Sequence, residues 1–390
     1  SRAYEIASCL VGSEMCIRDR VIGVGGGGGN AVASMLKSKI HGAEFILANT
    51  DSQALRDVKD ATIVQIGSEI TKGLGAGADT EKGRQAALES KEELTNAIAG
   101  ADMLFIAAGM GGGTGTGAAS VVAQIARDAG ILTVAVVTKP YAFEGPKRMR
   151  HAEEGIDALS EWVDSLIVIP NEKLKEVFGA DTSIFNAWEN ANDVLRGAVK
   201  GIAEIITIRG FMNVDFADVK TVMSGRGKAM MGSGIAEGET RAEDAVQAAL
   251  NSPLLDNIDL QGASGVLVNI TAGEDLSSKE FGVIGDRVKE IANENATVII
   301  GCIKEEDNLG ELRVTLIATG FEESKDENVV DNSNLDEIQI PTAASIASAT
   351  STPKPTMPAG YNNMTTSEAV VDKEHVDNID IPAFLRQQAD

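Results

Sequence analysis

Cysteine and histidine are scarce in this 390-residue sequence, and both scarcities exclude classes of protein. The three cysteines, Cys9, Cys16 and Cys302, are too few and too scattered for a disulfide framework, which indicates a reducing compartment such as the cytoplasm. The three histidines lie far apart without metal-ligand spacing, so we expect no metal site built from protein side chains. No apolar run approaches the roughly 20 residues that a helix needs to cross a bilayer.

Positive charge is also in short supply. The chain has 34 lysines and arginines against 58 aspartates and glutamates, for a formal net charge of −24. Nucleic acid and anionic lipid surfaces would repel a protein with this balance, which argues against binding to either of them. Apolar residues are not in deficit: they make up 43% of the chain, and its length allows two or three domains with sizeable cores.

Residues 21–170 alternate short apolar segments with helical patterns, which predicts an α/β fold with a mostly parallel sheet and helices on both faces. The predicted strands are Val21–Val24, Phe45–Ala48, Thr62–Ile66, Met103–Ala108, Ile131–Val137 and Leu166–Ile169. A helical pattern over 188–206 has apolar residues on one face and predicts a core helix that joins two domains. Three further strand candidates are Gly265–Ile270, Thr297–Ile303 and Leu312–Ala318. They predict a second, smaller α/β domain over roughly 217–320.

The sequence changes character at Phe321. Residues 321–337 contain seven acids and one lysine, and a stretch rich in Ser, Thr, Pro and Ala follows without apolar periodicity, which predicts disorder. Near the end, Pro382 suits a first helical turn, and three apolar residues share a face: Ile381, Phe384 and Leu385. An apolar patch on a long tether predicts a peptide that binds a partner, although an unused tail would have the same composition.

The glycine-rich stretch Gly109–Gly117 is the most informative feature of the chain. It follows the predicted strand Met103–Ala108 and precedes a predicted helix, Ala118–Ala129. Glycine in such a turn lets backbone N–H groups approach a phosphate closely, and the helix N-terminus adds a favourable dipole. A glycine-rich hinge is the alternative, but hinges rarely lie between a strand and a helix in this way. We therefore predict phosphate binding at this loop.

A second glycine run, Gly25–Asn30, follows the first predicted strand. Gly23, Gly25 and Gly28 match the dinucleotide fingerprint, and Asp51 lies at the end of the next strand. Taken alone, this pattern favours a nicotinamide-dependent oxidoreductase of the Rossmann type. The abundance of glycine makes a chance match easy, however, and two phosphate loops at one sheet edge suit a single triphosphate held from both sides. No Gly-x-x-x-x-Gly-Lys-Ser/Thr motif occurs, which excludes a P-loop fold.

Two further segments leave more than one interpretation open. The third glycine cluster, Gly73–Asp79, would contact a terminal phosphate or form a mobile loop. Glu144 and Arg148 lie four residues apart where a helix begins. They would belong to the phosphate-binding site, or they would form an ordinary ion pair on the surface.

Asp215 and Asp218 are three residues apart, so a helix would place them on one face. Two neighbouring carboxylates can polarise a water for attack on phosphorus, or they can serve as N-terminal acids of a helix. The long predicted helix would carry them roughly 28 Å from its start, at about 1.5 Å per residue, to the side opposite the glycine loops. One molecule would then leave the two halves apart, whereas two molecules stacked head to tail would join them.

These motifs resemble the FtsZ family, the bacterial relatives of tubulin, over about residues 21–320. The run Gly111–Gly117 is similar to the tubulin-family signature, Asn213–Asp218 to the FtsZ synergy loop, and Asp380–Arg386 to the family's C-terminal tail. The resemblance implies a tubulin-like GTPase fold, with a mixed sheet in the second domain. It also implies a GTPase that polymerises head to tail into filaments of the mid-cell division ring, with GTP and GDP as ligands and Mg²⁺ held through the phosphates.

The resemblance assigns roles to individual residues. The implied phosphate contacts are Gly26, Gly27, Gly28, Gly29, Asn30, Gly113, Thr114 and Gly115. The implied contacts to ribose and base are Glu144, Arg148, Asn171, Asn192 and Trp188, of which Trp188 stacks on the guanine. Asp215, Asp218 and Asn213 would act on the GTP of the neighbouring subunit. Ile381, Pro382, Phe384 and Leu385 would bind the membrane anchors FtsA and ZipA. Contact with the membrane would then be indirect, through these anchors.

We expect an atypical N-terminus over 1–20, a GTP-binding domain over 21–187 and a central helix with its connection over 188–212. A C-terminal domain over 213–320, an acidic linker over 321–377 and a partner-binding peptide over 378–390 would follow. Residues 1–20 depart from the family pattern, and we interpret them as foreign to it. Their charges beside Val21 predict a shortened first strand. A scaffold that binds nucleotide without hydrolysing it is disfavoured, because the chain has both Asp215 and Asp218.

Overall fold

The computed structural model describes residues 18–321, with gaps at 39–41, 57, 180–182, 208–213, 226, 256–261 and 306–309. Its strands, in chain order from β1 to β10, are Asp19–Val24, Ala43–Asn49, Thr62–Gln65, Met103–Gly109, Leu132–Lys139, Ser165–Pro170, Lys228–Glu237, Gly265–Ala272, Thr297–Lys304 and Glu311–Thr319. Its α-helices, from α1 to α11, are Gly25–Lys37, Ser68–Thr71, Thr80–Glu89, Lys91–Ile98, Gly113–Asp128, Pro146–Ser160, Asn171–Phe178, Ile184–Thr207, Phe216–Met223, Arg241–Leu250 and Ser278–Ile291. None of these helices is long and apolar enough to span a bilayer.

The first six strands form a parallel sheet in the order β3-β2-β1-β4-β5-β6. Every strand that the apolar runs predicted in this region is present, and the α/β prediction is confirmed. Because the strands are parallel, their carboxyl ends lie at one edge, where the connections into the helices begin. This strand order is also that of dinucleotide-binding folds, so the topology alone does not separate a triphosphate site from a nicotinamide site.

The second half of the sheet is mixed. β7 pairs in parallel with β6 through only two residue pairs, and it pairs antiparallel with β10. β10 continues antiparallel to β8, and β8 is parallel to β9. The sequence did not predict β7, because Gly232 and Gly234 interrupt its apolar pattern. Both glycines face α10, where a Cβ atom would collide with the carbonyl oxygens of Ala249 and Ala245.

Helix α8 is the predicted core helix, although it begins at Ile184, four residues before the predicted start at 188. Its buried face includes Leu195, Val199 and Ile202. These side chains share one apolar cluster with residues from both halves of the sheet, such as Phe105 in β4 and Leu267 in β8. Burial of each large aliphatic side chain contributes about 1.5–3 kcal/mol, so α8 joins the two halves energetically as well as along the chain.

The first strand is longer than the sequence predicted. It starts at Asp19 rather than Val21, and its register continues through Arg20 on both neighbouring strands. Arg20 fits because its guanidinium reaches Glu44 and the carbonyl oxygens of Ala97 and Ala99. Asp19, in contrast, is fully buried, and neither of its carboxylate oxygens has a hydrogen-bond partner. The strand is therefore two residues longer at its start than predicted, and it carries a buried acid without a hydrogen-bond partner.

Candidate functional site

Both glycine-rich stretches form helix N-termini. α1 begins at Gly25, immediately after β1, and α5 begins at Gly113, not at Ala118 as predicted. Glycine weakens a helix by roughly 1 kcal/mol per residue relative to alanine. Close packing explains why it is nevertheless present in α5: a Cβ atom on Gly113 would lie 2.6 Å from the carbonyl oxygen of Gly77, and one on Gly117 would collide with Thr80. Both first turns begin at the same edge of the sheet, and their N–H groups have no partner within their own helices, although the Gly113 amide donates to Gly77.

The two glycine stretches touch each other, and together we name residues 25–29 and 111–115 the glycine cradle. A Cβ atom on Gly25 would lie 2.7 Å from the amide nitrogen of Gly115, and Gly25 has a positive φ of +71°. A Cβ atom on Gly115 would lie 2.6 Å from the carbonyl oxygen of Gly109. Side chains at these positions would force the two helix N-termini apart. The glycines thus bring two sets of N–H donors to one place.

Open space in the cradle lies beside Gly26 and Gly112. A Cβ atom on either residue would meet no other atom within 4 Å. Gly27, by contrast, approaches Gly109, Gly28 packs on the carbonyl of Ala107, and Gly113 faces the 73–79 loop. Gly29 and Asn30 follow within α1, where Asn30 is exposed. Among the predicted phosphate contacts, Gly26 therefore has space next to it, whereas Gly113 serves to bring the third loop close.

The third glycine loop, residues 73–79, is held against the cradle. The backbone N–H of Gly113 donates to the carbonyl of Gly77 at 2.9 Å, and the backbone N–H of Gly75 donates to the carbonyl of Thr50 at 3.2 Å. The hydroxyls of Thr50 and Thr114 are hydrogen-bonded to each other at 2.6 Å, so the Thr114 hydroxyl is already engaged. Leu74, the second residue of the loop, forms a β-bridge with Asp51 and is 84% exposed. The loop is thus fixed at its base and presents an apolar side chain to solvent.

Glu144 and Arg148 form more than a surface ion pair. The Glu144 carboxylate accepts from the backbone N–H of Tyr141 at 2.9 Å, and its other oxygen lies 3.2 Å from Nε of Arg148. The stem of Arg148 lies over Gly111, where a Cβ atom would be 2.7 Å from the Arg148 Cγ and φ is +96°. The pair therefore lies against the cradle, at the start of α6.

A recess of about 510 Å³ opens between α1 and α8, and we name it the Trp188 recess. Asn30, Ser34, Trp188 and Asn192 line it. Its volume is in the range of small-molecule pockets. Trp188 is 43% exposed, so part of its indole is accessible at the recess.

Asn171 is the first residue of α7 and does not line the Trp188 recess. Its side chain is buried, and its Oδ1 atom has no hydrogen-bond partner. A buried polar atom in this state costs about 1–3 kcal/mol, so a donor from a ligand would be stabilising there.

Asp215 and Asp218 lie far from the cradle. Asp215 is the N-cap residue of α9 and Asp218 is in its first turn, where both are exposed. Asn213 lies outside the described residues. Val214 packs beside Ile205 of α8 near Gly301. The 17 residues from Trp188 to Ile205 correspond to about 26 Å along the helix axis, so the acids and the recess are at opposite ends of α8.

Sequence reasoning missed two residues at this edge of the sheet. Thr50 follows β2 and connects the cradle to the 73–79 loop. Tyr141 follows β5, and its hydroxyl donates to the carbonyl of Ala187 in α8 at 2.9 Å. Thr50 directly follows the end of its strand and Tyr141 lies two residues after the end of its own, which is the signal that would have identified them.

Comparisons with known proteins agree with this architecture. Family models match the Tubulin/FtsZ family GTPase domain over residues 20–179 and the FtsZ family C-terminal domain over residues 227–322. The cell division protein FtsZ of Pseudomonas aeruginosa is 51% identical over 384 residues, with 95% of this chain and 96% of that protein covered. That of Coxiella burnetii is 49% identical over 388 residues, with 94% and 95% covered.

Solved structures give the same result. An empty FtsZ dimer from M. jannaschii superimposes with a TM-score of 0.77 and 43% identity, and the match covers 82% of this chain and 92% of that one. CetZ2 from Haloferax volcanii, at 22% identity and a TM-score of 0.66, shares the fold. The chain therefore belongs to the FtsZ family and carries its tubulin-like GTPase domain.

Proposed function

We propose that this protein binds GTP with its phosphates in the glycine cradle and its base in the Trp188 recess. The observation that carries the proposal is the convergence of two helix N-termini, α1 and α5, on the open space beside Gly26 and Gly112. Two N-termini provide N–H donors and dipoles that stabilise a multiply charged anion. Glu144 and Arg148 lie between the cradle and the base side, where they would contact the ribose and nearby groups. Asn171 and Asn192 would read guanine.

Hydrolysis, in this proposal, needs two subunits. Within one chain, about 26 Å of α8 separates Trp188, at the recess, from Ile205, beside the segment that leads to the exposed Asp215 and Asp218. A second chain stacked head to tail would bring its own Asp215 and Asp218, with Asn213, to the terminal phosphate. Their carboxylates would orient and polarise the attacking water, while the cradle N–H groups stabilise charge that develops on the phosphoryl oxygens.

The residues present fit a Mg²⁺ ion bound with the nucleotide. The cradle offers N–H donors and open space, and the described part of the chain has no group of three or more acidic, histidine or cysteine side chains placed to hold a metal. The cradle N–H groups would hold phosphate oxygens, and Mg²⁺ would be bound by those oxygens and by waters. When bound, the ion would neutralise phosphate charge, and the positioning of the triphosphate would still depend on the cradle.

The cellular role follows from family membership. We propose that head-to-tail filaments of this protein form the division ring at mid-cell. The predicted tail peptide, with Ile381, Pro382, Phe384 and Leu385, lies outside the described residues. We propose that it binds membrane anchors of the FtsA and ZipA type, so that membrane contact is indirect.

Removal of residues 380–390 is expected to abolish anchor binding and to leave filaments intact, because the cradle and the acids belong to a separate part of the chain. Pelleting of filaments with GTP, with and without a purified anchor, measures both effects. A truncated chain that no longer pellets with GTP would contradict the separation of the two roles.

Nucleotide choice and the location of the phosphates are tested together by thermal unfolding. GTP at a hundred times its dissociation constant should stabilise the wild-type chain by about 2.7 kcal/mol, and NAD should have no effect. Gly112→Val should remove the GTP effect, because the valine side chain would enter the open space of the cradle. Gly112 has an extended backbone at φ −89° and ψ 171°, which valine adopts without strain.

Gly282→Val is the matched control. Gly282 lies in α11, far along the chain from the cradle, and it too has open space around its Cβ position. The stabilisation of the Gly282→Val variant by GTP should equal that of the wild type. A wild-type chain that responds to NAD and not to GTP would support the oxidoreductase alternative, and an unchanged GTP response in Gly112→Val would place the phosphates elsewhere.

A further inference from the structure

The base side of the site is built around one residue that the family pattern did not point to. We infer that Tyr141 is a positioning residue, whose hydroxyl fixes the first turn of α8 and thereby places Trp188 and Asn192 against the nucleotide base. The inference rests on the proposed function, because it concerns how the same site recognises its base. Tyr141 itself would not touch the nucleotide.

The hydroxyl of Tyr141 reaches directly into α8. It donates to the carbonyl of Ala187 at 2.9 Å, and Ala187 immediately precedes Trp188. This turn has little burial of its own, since Phe185 is 79% exposed and Trp188 is 43% exposed. A turn with so few apolar contacts depends on specific hydrogen bonds for its position. The Tyr141 hydroxyl provides such a bond from a residue that is only 1% exposed.

The other contacts of Tyr141 connect it to the remaining base-side elements. Its backbone N–H donates to Glu144, which pairs with Arg148 of α6. Its ring stacks on Phe143 with centroids 5.0 Å apart, and the Phe143 ring meets the Trp188 ring edge-on at 6.4 Å.

Helix α7 joins the same cluster. Glu172 accepts from the backbone N–H of Ala142 at 3.0 Å, and Nζ of Lys175 lies 5.6 Å from the ring centres of both Tyr141 and Phe143. Lys175 also pairs with Glu172. Tyr141 is thus the point at which β5, α6, α7 and α8 meet.

The hydroxyl keeps its proton under ordinary conditions. Burial raises the pKa of Tyr141 above its usual value, and the carboxylates of Glu144 and Glu172 raise it further. A protonated hydroxyl can donate to the Ala187 carbonyl at every pH at which the protein is handled. The bond is therefore a constant feature of the site and not a switch.

Tyr141→Phe tests the inference because it keeps the ring and removes only the hydroxyl. We expect the affinity for GTP, measured by calorimetry, to fall about three- to tenfold, the effect of one lost hydrogen bond. The affinity for inorganic tripolyphosphate, which has no base, should stay unchanged because the cradle is intact. Tyr141→Leu, which also removes the ring stacking, should lower GTP affinity further and again spare tripolyphosphate.

A second readout reports on the turn itself. The chain has two tryptophans, so in a Trp162→Phe background the fluorescence comes from Trp188 alone. Tyr141→Phe should lower the anisotropy of Trp188 in the nucleotide-free protein. Thr95→Val is the matched control, because it removes a hydroxyl that donates to a helix carbonyl, that of Lys91, away from the site. It should change neither GTP affinity nor the anisotropy.

Three results would overturn the inference. Equal GTP affinity in wild type and Tyr141→Phe would show that the hydroxyl is dispensable. Equal losses for GTP and tripolyphosphate would show a general structural effect in place of base positioning. A wild-type chain that binds tripolyphosphate but not GTP would refute the proposed function, and the inference with it, while the first two results leave the proposed function standing.

Discussion

Asp215→Ala is expected to lower GTP hydrolysis by about a hundredfold or more, the usual contribution of a group that activates water, while GTP affinity stays close to that of the wild type. The affinity is spared because Asp215 lies at the opposite end of α8 from the cradle. The fold is spared too, because the Asp215 side chain makes no capping hydrogen bond to α9 and is exposed. Phosphate release, measured across a range of protein concentrations, should rise steeply at the onset of assembly for the wild type and stay low for the variant.

Asp286→Ala is the control for this experiment. Asp286 is an exposed acid on α11 in the same half of the protein, and its removal makes the same change in charge. The rate of GTP hydrolysis by Asp286→Ala should equal that of the wild type. Loss of GTP binding in Asp215→Ala, in parallel with loss of hydrolysis, would contradict the separation of the two roles.

Asp19→Val is expected to raise the thermal midpoint at pH 8 substantially. Burial, and to a lesser extent the nearby Asp102, raises the pKa of the Asp19 carboxyl from 3.8 to about 7. This difference corresponds to a penalty on the order of 4 kcal/mol, or roughly 5 to 10 °C in a protein of this size. Valine suits the position, between Ala43 and Met103 on the neighbouring strands.

The sign of the pH dependence is a separate check. The folded-state pKa is raised, so the folded state holds the proton that the unfolded state loses first. The ionisation penalty of Asp19 is therefore absent below pH 4, grows between pH 4 and 7, and is complete above pH 7. The gain from Asp19→Val should be clearly larger at pH 8 than near pH 4. A gain of equal size at both pH values, or one matched by Asp286→Val, would contradict this explanation.

The parallel half of the fold was predictable because each of its strands is a short apolar run between turn residues. The starts of α1 and α5 were not, because glycine has low helix propensity and only close packing explains its presence there. Gly113 illustrates the difference: its role depends on Gly77, which lies far away in the sequence but directly beside it in the fold. β7 was missed for a similar reason, since Gly232 and Gly234 make way for α10.

The sequence pointed to the motifs of the candidate site but not to their geometry. Sequence spacing alone gave the two glycine stretches and the separation of Asp215 from them. It did not reveal which glycines border open space, nor that the Thr114 hydroxyl is engaged by Thr50. It also missed the role of Tyr141, because the bond from its hydroxyl to Ala187 spans 46 residues. Contacts of this kind depend on how distant elements pack.

The most direct test of a site shared between subunits is to mix two inactive variants. Gly112→Val lacks a working cradle but keeps Asp215, and Asp215→Ala keeps its cradle but lacks the acid. In a mixed pair stacked in one order, the intact cradle of Asp215→Ala meets the intact acid of Gly112→Val, and that contact contains a complete site. The reverse order contains none, so about a quarter of the contacts in a random equimolar mixture are complete. We predict that an equimolar mixture releases phosphate at a substantial fraction of the wild-type rate, although each variant alone is nearly inactive. A mixture as inactive as its components, at concentrations where the wild type hydrolyses GTP, would contradict the shared site.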